Sequence, residues 1–263
     1  MYVFKLGGSC ITKKAEAKFE MNQQLVSEIG DIFAASSSLQ FVVICGVGAF
    51  GHLNVLNYDL NDGCFSERQM QGVKETQNAC GSVAEAIISA TGPNSRFVHI
   101  PVHELVRQSQ KKVVHFDSEP FTRALEKGLV PITTGTMVPD DVLGWSVMSG
   151  DAVICELARV LKPGRIFIGT DVAGVFTSDP RKENSKPIPL ITRDNYEQIL
   201  NHSAGESSAP ADVTGGMKGK VEKLAAAVMS SSTTCIIFLL TAGSLARILI
   251  DRTDPEPPFT QIK

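Results

Sequence analysis

The sequence has few of the features that mark membrane, secreted or nucleic-acid-binding proteins. Its longest purely apolar run, Cys235–Leu240, is far shorter than the ~20 residues that span a bilayer. The formal net charge is only −3, which gives no electrostatic footprint for nucleic acid or for an anionic membrane surface. The first residues form an apolar segment without the charged region that opens a secretory signal. We therefore expect a cytoplasmic protein without nucleic-acid or membrane partners.

Paired cysteines and metal-binding motifs are also missing. The six cysteines are scattered without a C-x-x-C pair or a histidine at metal-ligand spacing, so we expect free thiols in a reducing compartment. Hydrophobic residues make up 43% of the 263 residues and charged residues 20%, which is typical of a globular chain. A chain of this length can bury a large core without disulfides.

Short apolar runs alternate with longer segments of helical periodicity. This alternation predicts an α/β fold, a three-layer αβα sandwich around a mostly parallel open sheet. The Asn- and Asp-rich segment Leu53–Gly63 predicts a poor helix, and Ser203–Ala211 predicts a loop. Strands are predicted at Tyr2–Leu6, Phe41–Cys45, Phe97–Ile100, Val130–Thr133, Arg165–Ile168 and Thr234–Leu240. Helices are predicted at Gln23–Ala35, Arg68–Ser89, Ser118–Lys127, Asp151–Leu161, Asp194–Leu200 and Gly219–Met229.

Glycines cluster directly after predicted strands or at the start of predicted helices. Gly7 and Gly8 follow the first strand, and Gly46–Gly51 follows the second. In open parallel sheets ligands bind beyond the carboxyl ends of the strands, where glycine lets backbone N–H groups approach a phosphate. Lys5, Lys14, Lys218 and Lys220 stand close to such clusters in the sequence, although Lys218 could equally be a solvated residue on the helix surface. The pattern therefore predicts a phosphate-handling site.

Two common phosphate motifs fit poorly. Gly46–Gly51 matches the dinucleotide fingerprint G-x-G-x-x-G, but a poor helix follows it and no acidic residue ends the next strand. The P-loop fails because Thr214 stands where its first glycine belongs and Val221 follows Lys220 in place of Ser or Thr. Asp140 and Asp141 could form a metal pair, but their position after Pro139 favours a turn.

Five blocks carry a resemblance to a known family. They are Lys5–Ser9, Gly46–His52, Ser146–Asp151, Gly169–Val175 and Asp212–Lys220. In this order they resemble the amino acid kinase superfamily and, within it, the isopentenyl phosphate kinases. The histidine that ends the second block and the Asp-Val-Thr-Gly-Gly-Met run are the narrower signals, shared with the related fosfomycin kinases.

The resemblance implies a role for each matching residue. Lys5 would contact the transferring phosphoryl group, and Lys14 would neutralise charge in the transition state. Independently of the resemblance, the chemistry calls for one carboxylate that organises the basic groups, and Asp151 is the candidate. The ATP-binding set would be Lys5, Gly7, Gly8, Ser9, Gly48, Asp171, Gly216 and Lys220. The acceptor-binding set would be Val47, Gly51, His52 and Gly150, with His52 also counted as catalytic.

The same resemblance implies the remaining properties. The activity would be ATP-dependent phosphorylation of isopentenyl phosphate by direct in-line transfer, with Mg²⁺ carried by ATP and no protein metal site. The protein would be a homodimer. Residues 1–263 would form one domain, with an acceptor-binding lobe over about 1–160 and a nucleotide-binding lobe over about 161–263.

The chemistry suits these residue types. A phosphate monoester has a second pKa of about 6, so the acceptor oxygen is largely ionised at neutral pH and needs no strong general base. Transfer between two anionic groups needs positioning and positive charge, which lysines, glycine N–H groups and a histidine donor supply.

Several positions depart from the family pattern, among them Cys45–Ala49 at the start of the second block and Phe259–Ile262 near the end of the chain. Val47 is expected to place a branched side chain where the acceptor phosphate approaches, and Thr136 stands where the family often has Asp. Three alternatives stay open: another small phosphate or phosphonate kinase such as a fosfomycin kinase, a carboxylate kinase, and a non-enzymatic nucleotide-binding regulatory or storage module. The presence of Lys5, Lys14, His52 and Lys220 favours an enzyme.

Replacing Lys14 by Ala tests its implied role. Loss of one contact to the transition-state charge should lower kcat by about 10²–10³ and change the KM for ATP much less. Steady-state kinetics with both substrates varied would measure the two effects. Turnover within a few-fold of the parent would make Lys14 an ordinary surface lysine.

Overall fold

A large sheet runs through the middle of the molecule. The computed structural model describes residues 1–13, 19–36, 39–202, 216–229 and 231–263. Within these ranges the strands are β1 Tyr2–Leu6, β2 Phe41–Cys45, β3 Phe97–His99, β4 Val106–Ser109, β5 Lys112–Phe116, β6 Val130–Thr134, β7 Thr136–Asp140, β8 Gly144–Met148, β9 Arg165–Thr170, β10 Val175–Phe176, β11 Pro187–Ile188, β12 Leu190–Ile191, β13 Thr234–Leu239 and β14 Thr260–Ile262. The helices are α1 Gly8–Ile11, α2 Gln23–Ala35, α3 Ala49–Asn57, α4 Glu67–Ala90, α5 Glu119–Glu126, α6 Gly150–Leu161, α7 Tyr196–His202, α8 Gly216–Val228 and α9 Ala242–Ala246.

The eight-stranded main sheet has the order β12-β14-β13-β9-β1-β2-β6-β3. All neighbours are parallel except β13 and β14. The six predicted strands all lie in this sheet, and their observed ends differ from the predicted ones by at most two residues. Because β1, β2, β6 and β9 are parallel, their carboxyl ends and the loops that follow them meet at one edge.

Helices cover both faces of the sheet, which confirms the predicted three-layer α/β fold. On one face, α5, α6 and α8 bury residues such as Phe121, Ile154 and Leu224. On the other face, α2 and α4 bury Ile29 and Val83 with the aromatic side chains of the sheet. Complete burial of each such side chain contributes roughly 1.5–3 kcal/mol, so the two clusters hold the layers together.

A smaller sheet, β5-β4-β7-β8, depends on one buried carboxylate. Backbone N–H groups of Gln110, Lys111, Val142 and Leu143 donate to Asp140, as does the Ser146 hydroxyl. Burial opposes the charge of Asp140, yet these donors hold its pKa well below the usual range. Asp140 therefore organises a turn, as the preceding proline favours, and the metal-pair interpretation is wrong.

The prediction for Leu53–Gly63 is wrong for the first part of the segment, because α3 extends to Asn57, and it is right for residues 58–63, which lie outside any helix. The helix begins at Ala49, inside the glycine-rich block. Its asparagines have low helix propensity, but Val55 is buried against α4 in a small cluster with Leu60 and Val73. Tertiary packing overrides the local preference. The predicted loop Ser203–Ala211 lies outside the described residues, and no described helix is long and apolar enough to cross a membrane.

The loops that follow β1 and β2 approach each other through glycine backbones. A Cβ atom on Gly46 would lie 2.3 Å from the backbone nitrogen of Gly8, and one on Gly8 would lie 2.4 Å from that of Gly48. Gly48 also has a φ of +48°, and a Cβ there would lie 2.1 Å from the Thr12 hydroxyl oxygen. Only glycine permits this approach, which brings two phosphate-loop candidates into backbone contact.

Substitution of Gly46 tests this packing. Gly46→Ala should lower the free energy of unfolding by about 1–3 kcal/mol, because the new methyl group meets rigid backbone. Gly164→Ala is the matched control, since a Cβ atom there meets nothing within 4 Å, and its effect should stay within about 0.5 kcal/mol. Urea denaturation measures both. Equal effects of the two substitutions would contradict the close approach.

Candidate active site

A buried ion pair lies at the carboxyl edge of the main sheet. Lys5, near the end of β1, donates from Nζ to Oδ1 of Asp151 in the first turn of α6. Their side chains are only 11% and 8% exposed. The pair joins residues 146 positions apart in the sequence. It therefore fixes the first strand to the start of a distant helix, at the edge where α/β proteins bind ligands.

Several lysines act on the Asp151 carboxylate. Burial alone would raise the pKa of Asp151, but the positive charges of Lys5, Lys220 and Lys223, with the hydrogen bond from Lys5, lower it below its ordinary value. Asp151 is therefore an anion at neutral pH. A carboxylate held in this way is suited to orienting ammonium groups and unsuited to accepting a proton.

The start of α6 is held in place by local contacts. Ser149 caps the helix, its hydroxyl accepting from the Ala152 N–H at 3.2 Å. A Cβ atom on Gly135 would lie 2.5 Å from the backbone nitrogen of Gly150, and one on Gly150 would lie 3.6 Å from Cε of Lys5. The backbone of Gly150 thus lies beside the Lys5 side chain, where a phosphate oxygen could approach the helix N-terminus.

Helix α8 brings further positive charge to the same place. It packs against α6, and the Cys155 thiol donates to the Lys223 carbonyl oxygen at 3.4 Å. Both helices lead by short connections into parallel strands, β9 and β13, so both begin at the carboxyl edge of the sheet. Gly216 begins α8 and Lys220 lies in its second turn.

Three of the four predicted acceptor residues, Val47, Gly51 and His52, lie on or just before α3. Gly51 and His52 belong to this helix and not to a loop, and the His52 N–H donates to the Gly48 carbonyl at 3.3 Å. A Cβ atom on Gly51 would lie 2.5 Å from Cγ2 of Val47. The Val47 side chain therefore packs over Gly51 and towards Cys80. The contact of Val47 with the acceptor phosphate stays a prediction.

The loop after β9 borders the glycine loop after β1. A Cβ atom on Gly7 would lie 2.6 Å from the Gly169 carbonyl oxygen. The Thr170 hydroxyl donates to the Val172 carbonyl at 2.7 Å and closes the turn that carries the exposed Asp171. The structure thus places Gly7, Gly8, Ser9, Gly48, Asp171, Gly216 and Lys220 around one edge with Lys5 and Asp151.

Lys14, the expected absence of a protein metal site, and Lys223 need separate mention. Lys14 lies outside the described residues. Within those residues, no group of three or more His, Cys, Asp or Glu side chains could hold a metal ion. Lys223 is the residue that sequence analysis misses. Its signal is the spacing of three from Lys220, which places both on one helix face.

Comparison with known proteins shows which family the chain belongs to. The profile described as "Amino acid kinase family" matches residues 1–239. The chain belongs to the amino acid kinase family. This confirms the family predicted from the five sequence blocks.

Several relatives of this amino acid kinase have the same name. Isopentenyl phosphate kinase from Methanothermobacter thermautotrophicus is 30% identical over 95% of each chain. The enzyme of that name from Methanocaldococcus jannaschii is 31% identical over 84% of this chain and 85% of its own. A solved isopentenyl phosphate kinase structure has a TM-score of 0.79 at 24% identity, covering 97% of this chain and 98% of its own, and so shares the fold.

Replacing Asp151 by Asn tests the ion pair through acid stability. Because the folded-state pKa of Asp151 is lowered, its carboxylate stabilises the fold above the unfolded-state value of about 4, and this contribution is lost as the pH falls through the folded-state pKa. Asp151→Asn should remove that part of the pH dependence of the free energy of unfolding. It should also cost about 3 kcal/mol at neutral pH, because Lys5 stays buried without its counter-charge.

Urea denaturation between about pH 3 and pH 7 measures this change. Asp141→Asn is the control, since Asp141 is exposed and lies 3.8 Å from Arg107. An unchanged acid dependence in Asp151→Asn would show that the pair contributes nothing to the fold.

Proposed function

We propose that the protein transfers the γ-phosphoryl group of ATP directly to isopentenyl phosphate, giving isopentenyl diphosphate and ADP. The observation that carries the proposal is the buried Lys5–Asp151 pair, with Lys220 acting on the same carboxylate and the His52 helix beginning at the same sheet edge. The names of the relatives that match most of the chain support the acceptor.

In this proposal the chain works by placing positive charge where the transferring group passes. Lys5 is held by Asp151 in a nearly dry position, so its charge acts more strongly than it would in water and needs no reorganisation. Lys220 approaches from α8 and contacts the nucleotide. The glycine backbones of the β1 and β2 loops let phosphate oxygens approach the N–H groups closely.

The acceptor needs no general base. Its phosphate is largely ionised at neutral pH, because the second pKa of a monoester is about 6. Asp151 is committed to the lysines, so it anchors them and removes no proton. His52 in the first turn of α3 donates a hydrogen bond to the acceptor phosphate, and the backbone of Gly150 at the start of α6 borders the other side.

The resemblance supplies the remaining parts of the proposal. Mg²⁺ would reach the site on the ATP phosphates, where it neutralises negative charge, and few protein carboxylates would be needed to hold it. Residues from about 1 to 160 form the acceptor lobe and those from about 161 to 263 the nucleotide lobe, and the protein works as a homodimer. The six cysteines, all of which lie among the described residues, form no disulfide with one another, which suits a reducing cytoplasm.

A coupled assay of ADP release tests the function. The panel contains isopentenyl phosphate, dimethylallyl phosphate, fosfomycin, UMP and N-acetylglutamate, each with Mg²⁺ and ATP. We expect the highest kcat/KM with isopentenyl phosphate. A higher kcat/KM with fosfomycin or with N-acetylglutamate would replace the proposed acceptor. If none of the panel compounds stimulated ADP release, the kinase function would be rejected for these substrates.

His52 separates a phosphate acceptor from other acceptors. A hydrogen bond to a charged phosphate contributes roughly 1.5–3 kcal/mol, or about ten- to a hundredfold in affinity. His52→Ala should lose most activity with isopentenyl phosphate, whereas His52→Gln, which keeps a donor, should retain part of it. ATP binding, measured by calorimetry, should stay unchanged in both. Full activity of His52→Ala would make this histidine structural.

A further inference from the structure

A third lysine acts on the Asp151 carboxylate, and neither the resemblance nor the glycine-rich blocks give it a role. Lys223 lies one helical turn beyond Lys220 in α8, and its charge reaches Asp151 together with those of Lys5 and Lys220. Its backbone is fixed against α6 by the bond from the Cys155 thiol to the Lys223 carbonyl at 3.4 Å. Cys155 itself lies one turn after Asp151.

The geometry of α8 directs this side chain towards the site. Residues three apart lie on the same helix face, so Lys220 and Lys223 form one row. Side chains of a helix lean towards its N-terminus, and the N-terminus of α8 is at the carboxyl edge of the sheet. The exposed Lys223 ammonium group can therefore extend along α8 towards the place where Asp151 and Lys220 meet.

The charges around Lys223 leave it available for an anionic ligand. Among the described residues, no carboxylate forms an ion pair with Lys223, while Asp151 is bonded to Lys5. Glu156, the other carboxylate near Cys155, is held by Arg159 at 3.0 Å. Lys223 forms no ion pair within the described ranges and stands in a row with a nucleotide-binding candidate, so its ammonium group is suited to a phosphate contact.

We infer that Lys223 is a further nucleotide-binding residue, which contacts the β- or γ-phosphate of ATP from the face of α8 that it shares with Lys220. This inference rests on the proposed kinase function. It extends the nucleotide site by one helical turn and gives α8 two phosphate-binding lysines.

Calorimetry with the non-hydrolysable analogue AMPPNP and Mg²⁺ tests the inference. Lys223→Ala should raise the Kd for AMPPNP by about three- to fivefold, the effect of a partly exposed charge contact. Lys223→Arg keeps the charge and should restore most of the affinity. The Kd for AMP should not change, because AMP lacks the β- and γ-phosphates. Salt dependence should weaken in Lys223→Ala and not in Lys223→Arg.

Lys218→Ala is the matched control on the same helix. Lys218 lies two residues before Lys220, so the two side chains do not share a helix face. Lys218 is also not among the charges that act on the Asp151 carboxylate. It should leave the Kd for AMPPNP within about twofold of the parent. Equal effects of Lys218→Ala and Lys223→Ala, or an equal loss of AMP binding, would overturn the inference. Failure of the unsubstituted protein to bind AMPPNP would instead reject the proposed function.

Discussion

The ion pair between Lys5 and Asp151 connects the parts of the molecule that the proposed chemistry needs together. Lys5 belongs to the central strand of the sheet, and Asp151 belongs to a helix that packs against the helix of Lys220 and Lys223. Removing two charges from water is costly, and the cost is recovered only where geometry and hydrogen bonds are good. The main effect of the pair is therefore to position the Lys5 ammonium group against α6, and its net contribution to the free energy of unfolding is secondary.

Glycine makes the rest of this edge possible. The β1 and β2 loops touch through Gly8, Gly46 and Gly48, and the start of α6 touches the end of β6 through Gly135 and Gly150. At Gly8, Gly46 and Gly135 a side chain would collide with backbone. As a consequence, backbone N–H groups are concentrated beside Lys5. The same glycines therefore serve both the packing of the loops and the proposed binding of phosphate.

Much of this arrangement can be predicted from the sequence, and the exceptions have physical causes. The main-sheet strands are continuous apolar runs, so their pattern identifies them, whereas β4, β5, β7 and β8 depend on Asp140 and on pairing between distant segments. Helix α3 is missed because its asparagines argue against it locally, while packing of Val55 on α4 stabilises it.

In the candidate site, too, some features can be predicted from the sequence and others cannot. The glycine blocks and Lys5 can be found from their places after strands, but only the fold shows that Asp151 is the partner of Lys5. The direction of the Val47 side chain depends on Gly51, and the nearness of Lys223 depends on how α8 packs against α6. Each of these is a relation between elements that local sequence patterns do not contain.

The central claim is that positioned positive charge promotes direct transfer, with no side chain acting as nucleophile. The stereochemistry at phosphorus tests this most directly, with ATPγS made chiral at the γ-phosphorus by oxygen isotopes as donor and isopentenyl phosphate as acceptor. A single in-line displacement inverts the configuration, and the account predicts inversion in the thiodiphosphate product. Retention would show two successive displacements through a phosphorylated side chain and would contradict the account.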